Sequence, residues 1–587
     1  MAGGDEGVDI ALEAFRDGAA DLNATLPEAL LSDGASYSLI ATTTAEERER
    51  VERSVEPMVT TLLVLAGTTA AAALVVLGLA VTRALRRAEG DQLEWWRLGL
   101  TTRNRLGVLV VPHLVSAGIG IAGALALAWA SSPLAPIGTV RSVDPFPARG
   151  LSGEIALAAA SFALLCVVGL TVLASRATRR AGPAPVRPHD RTAVRRMLRG
   201  SARPDVDEGL RAAFGRDRGA GLVVAGGGLA TGILIVAVVF SGSLAALVST
   251  PASYGWPWDV AVMGGYGYGS QDLRAVTASL ETRDDIESWT ALAFATFTVD
   301  GAPVVSMVAL GPPADVQLTP ATGRLPTSEH EVALGTRTAA ERNVGVGDQV
   351  DLAGEGLEPV RATVTGLVVL PALGPYQADR AAPGTGLLVP ASMVDEEVLA
   401  NEISFFGIDV AHDADVTAVL DELRRDFVSW AIRGDTTFEY ARPVRPAEII
   451  NAGSMRAVPL LVGGLLALAG AVALSFAVMT SVRARRRDLA ALRALGFTGR
   501  QLRASVLVHA VATMLASLLI GIPIGVGAGR LAWRVFASQL GVVTGPSTPR
   551  SALVATIAGG VAIAVAAAVV PARAAARARS VTALRSE

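Results

Sequence analysis

The chain has 587 residues, 51% of them hydrophobic and only 18% charged, with a mean hydropathy of +0.45. Soluble domains carry roughly 25% charge; here the deficit is local, because long stretches contain none. All 51 basic residues are Arg, which excludes chemistry that needs a lysine amine, including Schiff-base catalysis and the lysine of a P-loop. Any ATP used must then be bound by another chain. The single Cys, Cys166, lies in an apolar run, so there is neither a disulfide framework nor a Cys-based metal site. A net charge of -3 and the lack of a basic, aromatic-laced stripe give no support to nucleic-acid binding.

A bilayer core of about 30 Å needs roughly 20 apolar residues per helix. Seven runs meet this in chain order: Val59–Val81, Leu106–Trp129, Ile155–Ser175, Ala220–Val248, Ala457–Val482, Ala504–Gly529 and Ser551–Val570. None contains Asp, Glu, Lys or Arg, and all are rich in the small residues that let helix backbones approach in lipid. The expected fold class is an α-helical transmembrane bundle with a large extracytoplasmic α+β domain.

Arginine placement orients the spans. Arg83, Arg86, Arg87, Arg97, Arg103 and Arg105 lie between the first two, and twelve more follow the third, from Arg176 to Arg218. Arg483, Arg485, Arg486, Arg487, Arg493, Arg500 and Arg503 lie between spans five and six. The opposite loops are poorer, with Arg141 and Arg149 in one and Arg550, beyond Arg530 and Arg534, in the other. The arginine-rich side is cytoplasmic, which places residues 1–56 and 250–455 outside a cytoplasmic membrane. No signal peptide or preceding span delivers residues 1–56 there, so the chain is expected to be truncated, or to start at an internal Met, and to lack an upstream helix.

Sliding residues 59–187 onto 456–584 at a constant offset of 397 superposes three spans of each half. Under it Asp91 meets Asp488, Leu98-Gly99 meets Leu495-Gly496, Thr101 meets Thr498, and Arg103 meets Arg500. This predicts an internal repeat. The expected organisation is then 1–56, a remnant of a first outer domain; 57–180, the first repeat; 181–219, a linker; 220–249, the fourth span; 250–455, the outer domain; and 456–587, the second repeat.

In residues 250–455 turn formers alternate with β-like runs at Phe294–Val299, Val304–Leu310, Ala362–Val369 and Gly386–Val389. Helical stretches are predicted at Ser270–Glu281, Arg337–Asn343 and Val416–Phe427. The mixture reads as α+β. His330 between two Glu, and His412 near two Asp, lack the spacing of a metalloenzyme site. Neither a Gly-x-Ser-x-Gly elbow nor a His-Glu-x-x-His sequence occurs, so no catalytic residue, bound cofactor or metal is assigned; an enzyme is unsupported by these residues and not excluded by them.

The segment from Arg485 to Leu502 predicts a short amphipathic helix, a break at Gly496, and a new helix capped by Thr498 with Gln501 in a capping box. Its apolar face serves either to dock a protein or to lie on anionic lipid. This stretch, Arg-Arg-Arg-Asp-Leu-Ala-Ala-Leu-Arg-Ala-Leu-Gly-Phe-Thr, resembles the link of FtsX/MacB-like ABC transporter permeases. The tail from Pro571-Ala572-Arg573 to Leu584-Arg585 is similar to the family's closing motif, and Gly323-Arg324-Leu325-Pro326 with Glu331–Gly335 and Val344–Asp348 is similar to its periplasmic domain. The resemblance implies a permease subunit that performs no chemistry and couples to a separate cytoplasmic ATPase dimer, which binds the ATP. Its motion would drive export of an extracytoplasmic substrate or act on a partner protein outside. It further implies that Asp488, Leu492, Arg493, Leu495, Gly496 and Arg500 form the gripped link, with Asp91, Trp95, Trp96, Gly99 and Arg103 in the same place in the first half. The first copy departs from the pattern, Trp95-Trp96 standing where Leu492-Arg493 stand in the second, and the paired Trp suit an interfacial anchor equally. The alternative function is a scaffold or regulator that signals to an envelope hydrolase or sensor kinase without moving a solute.

Overall fold

The structure, a computed structural model, describes residues 94–134, 153–179, 203–214, 218–264, 271–310, 318–354, 356–371, 383–395, 403–430, 438–441, 443, 445–484, 491–543 and 545–576, with scattered positions in 59–88. Two compact units emerge. One is β-rich, built chiefly from Leu247–Asn451 with Val535–Thr544; the other is helical, from Thr61–Ala246, Ala452–Arg534 and Gly545–Glu587.

The helices are α1 (Thr102–Ser131), α2 (Gly153–Arg179), α3 (Pro204–Phe214), α4 (Arg218–Ser249), α5 (Leu273–Leu280), α6 (Thr336–Arg342), α7 (Val416–Trp430), α8 (Ala447–Ser454), α9 (Ala457–Ala484), α10 (Gly499–Leu540) and α11 (Arg550–Ala576). Six stretches are long and apolar enough to cross a membrane: Thr102–Ser131, Gly153–Arg176, Val223–Ser249, Glu448–Gly470, Gly499–Leu540 and Arg550–Arg573. They overlap predicted spans two to seven, the fifth only over residues 457–470. The first predicted span, Val59–Val81, lies mostly outside the described residues. Span six is longer than its apolar run: α10 has 42 residues and continues through Pro523.

Within the helical unit α4 packs on α10 along a lane of small residues. A Cβ on Gly227 would lie 2.5 Å from the Ser517 hydroxyl, and one on Gly525 would lie 2.5 Å from the Gly232 carbonyl. Side chains larger than hydrogen at these positions would push the backbones apart, and in lipid such backbone approach is what holds helices together. α4 also meets α9, where a Cβ on Gly463 would lie 2.8 Å from Cβ of Ala237. Ahead of α4, the amphipathic α3 seats on the start of α10: a Cβ on Gly209 would lie 2.7 Å from the Ser505 carbonyl and from Cβ of Val508. Part of the predicted linker, residues 204–214, is therefore a packed element. Inside α1, His113 is bonded within its own helix, Nδ1 lying 2.8 Å from the Leu109 carbonyl.

The β-rich unit holds a ten-stranded sheet of β1 (Val260–Gly264), β2 (Ile286–Val299), β3 (Ala302–Leu310), β4 (Pro320–Gly323), β5 (Glu331–Gly335), β6 (Gln349–Gly354), β7 (Leu357–Val368), β8 (Leu387–Pro390), β9 (Ile403–Val410) and β10 (Phe438–Ala441). Its order is β10-β1-β9-β2-β3-β8-β5-β7-β4, with β6 pairing β2 and β7. The pairs β3–β8 and β5–β7 are parallel and the others antiparallel. The four predicted β runs fall inside β2, β3, β7 and β8, and the predicted helices are α5, α6 and α7. Val260, Val276, Phe297, Val308, Val364, Phe406, Leu423 and Phe427 belong to one buried core. α5 starts where Asp272 accepts a bond from the Arg274 amide, and Ser279 on it donates to Asp426 on α7. Arg283 donates to Asp285, at 2.9 Å from Nε, and to Glu422 at 2.7 Å, joining the sheet to α7. Its guanidinium holds the Asp285 carboxyl below the usual carboxylate range. The segment 535–544 belongs to this unit, which the sequence did not foretell: the Thr336 hydroxyl donates to the Gly541 carbonyl at 2.5 Å, and the Val543 amide to the Ser253 carbonyl at 3.1 Å.

Candidate partner-docking links

Each link is built by the backbone before any side chain is considered. In the second, residues 491–494 are helical and Gly496 takes φ +102°, a left-handed conformation that glycine adopts without steric cost. The Gly496 amide bonds the Arg493 carbonyl at 3.1 Å and the Phe497 amide bonds the Leu492 carbonyl at 3.1 Å. This is a Schellman termination, which also brings its first and last apolar residues together. Leu492 and Phe497 accordingly pack against one buried cluster with Leu502, Val506, Ala568 and Ala572. The capping box follows: the Thr498 amide donates to Gln501 Oε1 at 2.8 Å, and the Gln501 amide donates to Thr498 Oγ1 at 3.3 Å.

The first link repeats these bonds at the same offset of 397 residues. Gly99 has φ +84°, its amide bonds the Trp96 carbonyl at 3.0 Å, and the Leu100 amide bonds the Trp95 carbonyl at 3.0 Å. Thr101 caps α1 through the Asn104 amide at 3.3 Å. Trp95 packs against the cluster of Val81, Leu85, Leu109, Leu170 and Ala174, as Leu492 does against its own.

The turn decides which side chains are left outside. Leu495 is 81% exposed and Leu98 is 77% exposed, each one residue before its glycine. Trp96 is 62% exposed, whereas Trp95 and Leu492 are half-buried. Arg493, Arg500 and Arg103 are exposed beside them. Asp488 and Asp91 lie outside the described residues. The links thus gather Leu492, Arg493, Leu495, Gly496 and Arg500 at one turn, and Trp95, Trp96, Gly99 and Arg103 at the other. Leu98 and Phe497 complete the two turns and were not among the predicted site residues; the alignment of Leu98-Gly99 with Leu495-Gly496 was the available signal. The halves differ at Arg105, which is buried at 6% exposure where the second half has Leu502. Arg105 donates to Thr102 Oγ1 at 3.4 Å, and its Nε has no partner.

The helical unit thus carries capped links between stretches long and apolar enough to cross a membrane, the pattern of a multi-pass membrane protein. Residues 460–579, which include the second link, match the family described as FtsX-like permease C-terminal. The β-rich region is similar to the crystal structure of the periplasmic region of MacB from Actinobacillus actinomycetemcomitans, with 16% identity and a TM-score of 0.24, covering 31% of this chain and 88% of that one. It is also similar to a domain of a protein described as a permease from Porphyromonas gingivalis, with 13% identity and a TM-score of 0.23, covering 32% of this chain and 91% of that one. A sequence search of curated proteins finds no match.

Proposed function

We propose that this chain is the membrane subunit of an ABC transporter complex, coupling ATP hydrolysis by a separate ATPase dimer to movement of its β-rich unit, for export or mechanotransmission. The observation that carries the reading is Leu495: a leucine 81% exposed at the apex of a turn that is hydrogen-bonded on both sides. Burying such a side chain on a partner contributes about 1.5–3 kcal/mol. Neighbouring Arg493 and Arg500 suit an acidic rim around an apolar pocket. ATP binds the partner and not this chain, consistent with a sequence that has no lysine.

The orientation follows from the arginines: the links lie in the cytoplasm and residues 250–455 outside. The matched bonds around Gly99 and Gly496 support reading the halves as copies of one duplicated unit, so that the first link offers the ATPase dimer a second contact through Trp95, Trp96 and Leu98.

The test is co-purification of the full chain with its ATPase, followed by ATPase assay in lipid. Leu492→Asp with Gly496→Pro abolishes stimulation, and Leu495→Asp reduces complex formation at least tenfold. A chain that never binds an ATPase, or a Leu495→Asp variant that binds as well as wild type, sinks the proposal. A complex that forms with an envelope hydrolase or kinase instead would identify a regulator.

A further inference from the structure

Four residues after its capping threonine, each link carries a different kind of side chain. After Thr498 stands Leu502, 1% exposed and part of the buried cluster of the second link. After Thr101 stands Arg105, which is 6% exposed. Arg105 sits one turn before Leu109, itself buried with Leu170 and Ala174 of α2. Its Nη2 reaches back to Thr102 Oγ1 at 3.4 Å, which sets the guanidinium beside the first turn of α1. Among the described residues that hydroxyl is its one acceptor, its Nε is buried without a partner, and the first turn of α1 holds no acidic residue. A buried guanidinium with one long bond to a neutral hydroxyl lacks the counter-charge that its desolvation calls for.

The same turn offers further donors. The Asn104 amide is taken by Thr101 Oγ1, and the first backbone bond of α1 runs from the Arg105 amide to the Thr101 carbonyl. The Thr102 and Arg103 amides therefore have no acceptor within the helix, and they stand at its positive end. Arg103 in the same turn is exposed. An anion at this point would meet backbone amides and a guanidinium fork, a pairing that suits phosphate oxygens.

Depth selects the kind of phosphate. Arg105 is the last charge before the uncharged run Leu106–Trp129, which rises about 36 Å against a hydrocarbon core of about 30 Å. The guanidinium therefore lies at the level where lipid phosphates begin. Trp96, 62% exposed just before α1, suits the same level.

We propose that Arg105 and the N-terminus of α1 bind the phosphodiester of an anionic lipid headgroup. The guanidinium and the first-turn amides hold the phosphate oxygens, and the bound lipid supplies the missing counter-charge. The site rests on α1 crossing the membrane, and needs neither the ATPase partnership nor a duplication.

The test is thermal unfolding of the full chain, without any ATPase, in nanodiscs of phosphatidylcholine with rising fractions of phosphatidylglycerol. In phosphatidylcholine alone Arg105→Leu melts above wild type, because the leucine removes an uncompensated charge. Phosphatidylglycerol raises the wild-type melting temperature saturably, closes that gap, and leaves Arg105→Leu unmoved. Native mass spectrometry retains at least fivefold more phosphatidylglycerol on wild type than on Arg105→Leu. Arg176→Gln, which removes an exposed arginine near the end of α2, keeps the wild-type response. Equal responses of wild type and Arg105→Leu, or loss of the response in Arg176→Gln as well, would mean diffuse attraction to surface charge and overturn the site. If millimolar inorganic phosphate reproduces the rise in phosphatidylcholine alone, the site takes free phosphate and the lipid assignment fails. If the rise appears only when an ATPase subunit is added, the counter-charge is a carboxylate of that subunit and the proposal fails.

Discussion

Ser517 on α10 donates its hydroxyl to the backbone carbonyl of Val224 on α4 at 3.2 Å, and the same side chain lies where Gly227 has no Cβ. The hydroxyl also reaches the Thr513 carbonyl of its own helix at 2.9 Å, so the interhelical bond is shared and not exclusive. Close approach therefore matters more here than the hydrogen bond. Gly525→Leu should destabilise the helical unit by about 1–3 kcal/mol through overpacking, whereas Ser517→Ala should cost about 0.6 kcal/mol. Denaturation in detergent followed by circular dichroism would rank the two, and equal effects would refute the packing argument.

The left-handed glycines at the links give a second prediction. Gly496→Ala places a Cβ on a residue at φ +102° and should cost about 1 kcal/mol locally, with Gly99→Ala at φ +84° costing a similar amount. Hydrogen exchange at the Gly496 and Phe497 amides should quicken several-fold, while exchange at the middle of α10 stays unchanged. Thr498→Ala removes the other half of the turn at a cost of about 1 kcal/mol and should speed exchange at Gln501.

Acid stability of the β-rich unit depends in part on Glu331. The Arg324 guanidinium, followed by the Thr327 amide at 2.9 Å, lowers its carboxyl pKa from 4.5 to about 2. A depressed folded-state pKa gives stabilisation that is complete above the unfolded value of 4.5 and lost as pH falls towards 2. Wild type should therefore melt above Glu331→Gln by a constant margin at pH 6–8, and the margin should close between about pH 4.5 and 2. A margin independent of pH over that window would rule out the ion pair as its source.

Arg105 gives the opposite kind of expectation, a substitution that stabilises. Among the described residues, this cation, 6% exposed, is held by one hydroxyl at 3.4 Å and its Nε has no partner. Arg105→Leu, the residue of the second half, should raise stability by about 1 kcal/mol or more. A lowered melting temperature would instead indicate that Arg105 serves an anionic partner.

The spans and links were legible because their signals are local. An uncharged run of more than 20 residues has few alternatives to a membrane helix, and Gly496, Thr498 and Gln501 specify their turn through bonds that reach no further than five residues. Strands with strong β character, at β2, β3, β7 and β8, were legible for the same reason. β1, β4, β5, β6, β9 and β10 were not, because their state depends on pairing with neighbours distant in sequence, as Ala261 does with Ala441.

Sequence alone determined the uncharged apolar runs long enough to cross a membrane, the lack of any lysine, and the glycine turn and cap of each link; these follow from composition and from contacts within a few residues. The tertiary structure alone decided that Leu98 and Leu495 stand exposed while Trp95 and Leu492 turn inward, and that residues 535–544 fold with the β-rich unit. Exposure depends on which distant segments arrive to cover a surface, and no local pattern of residues encodes that arrival.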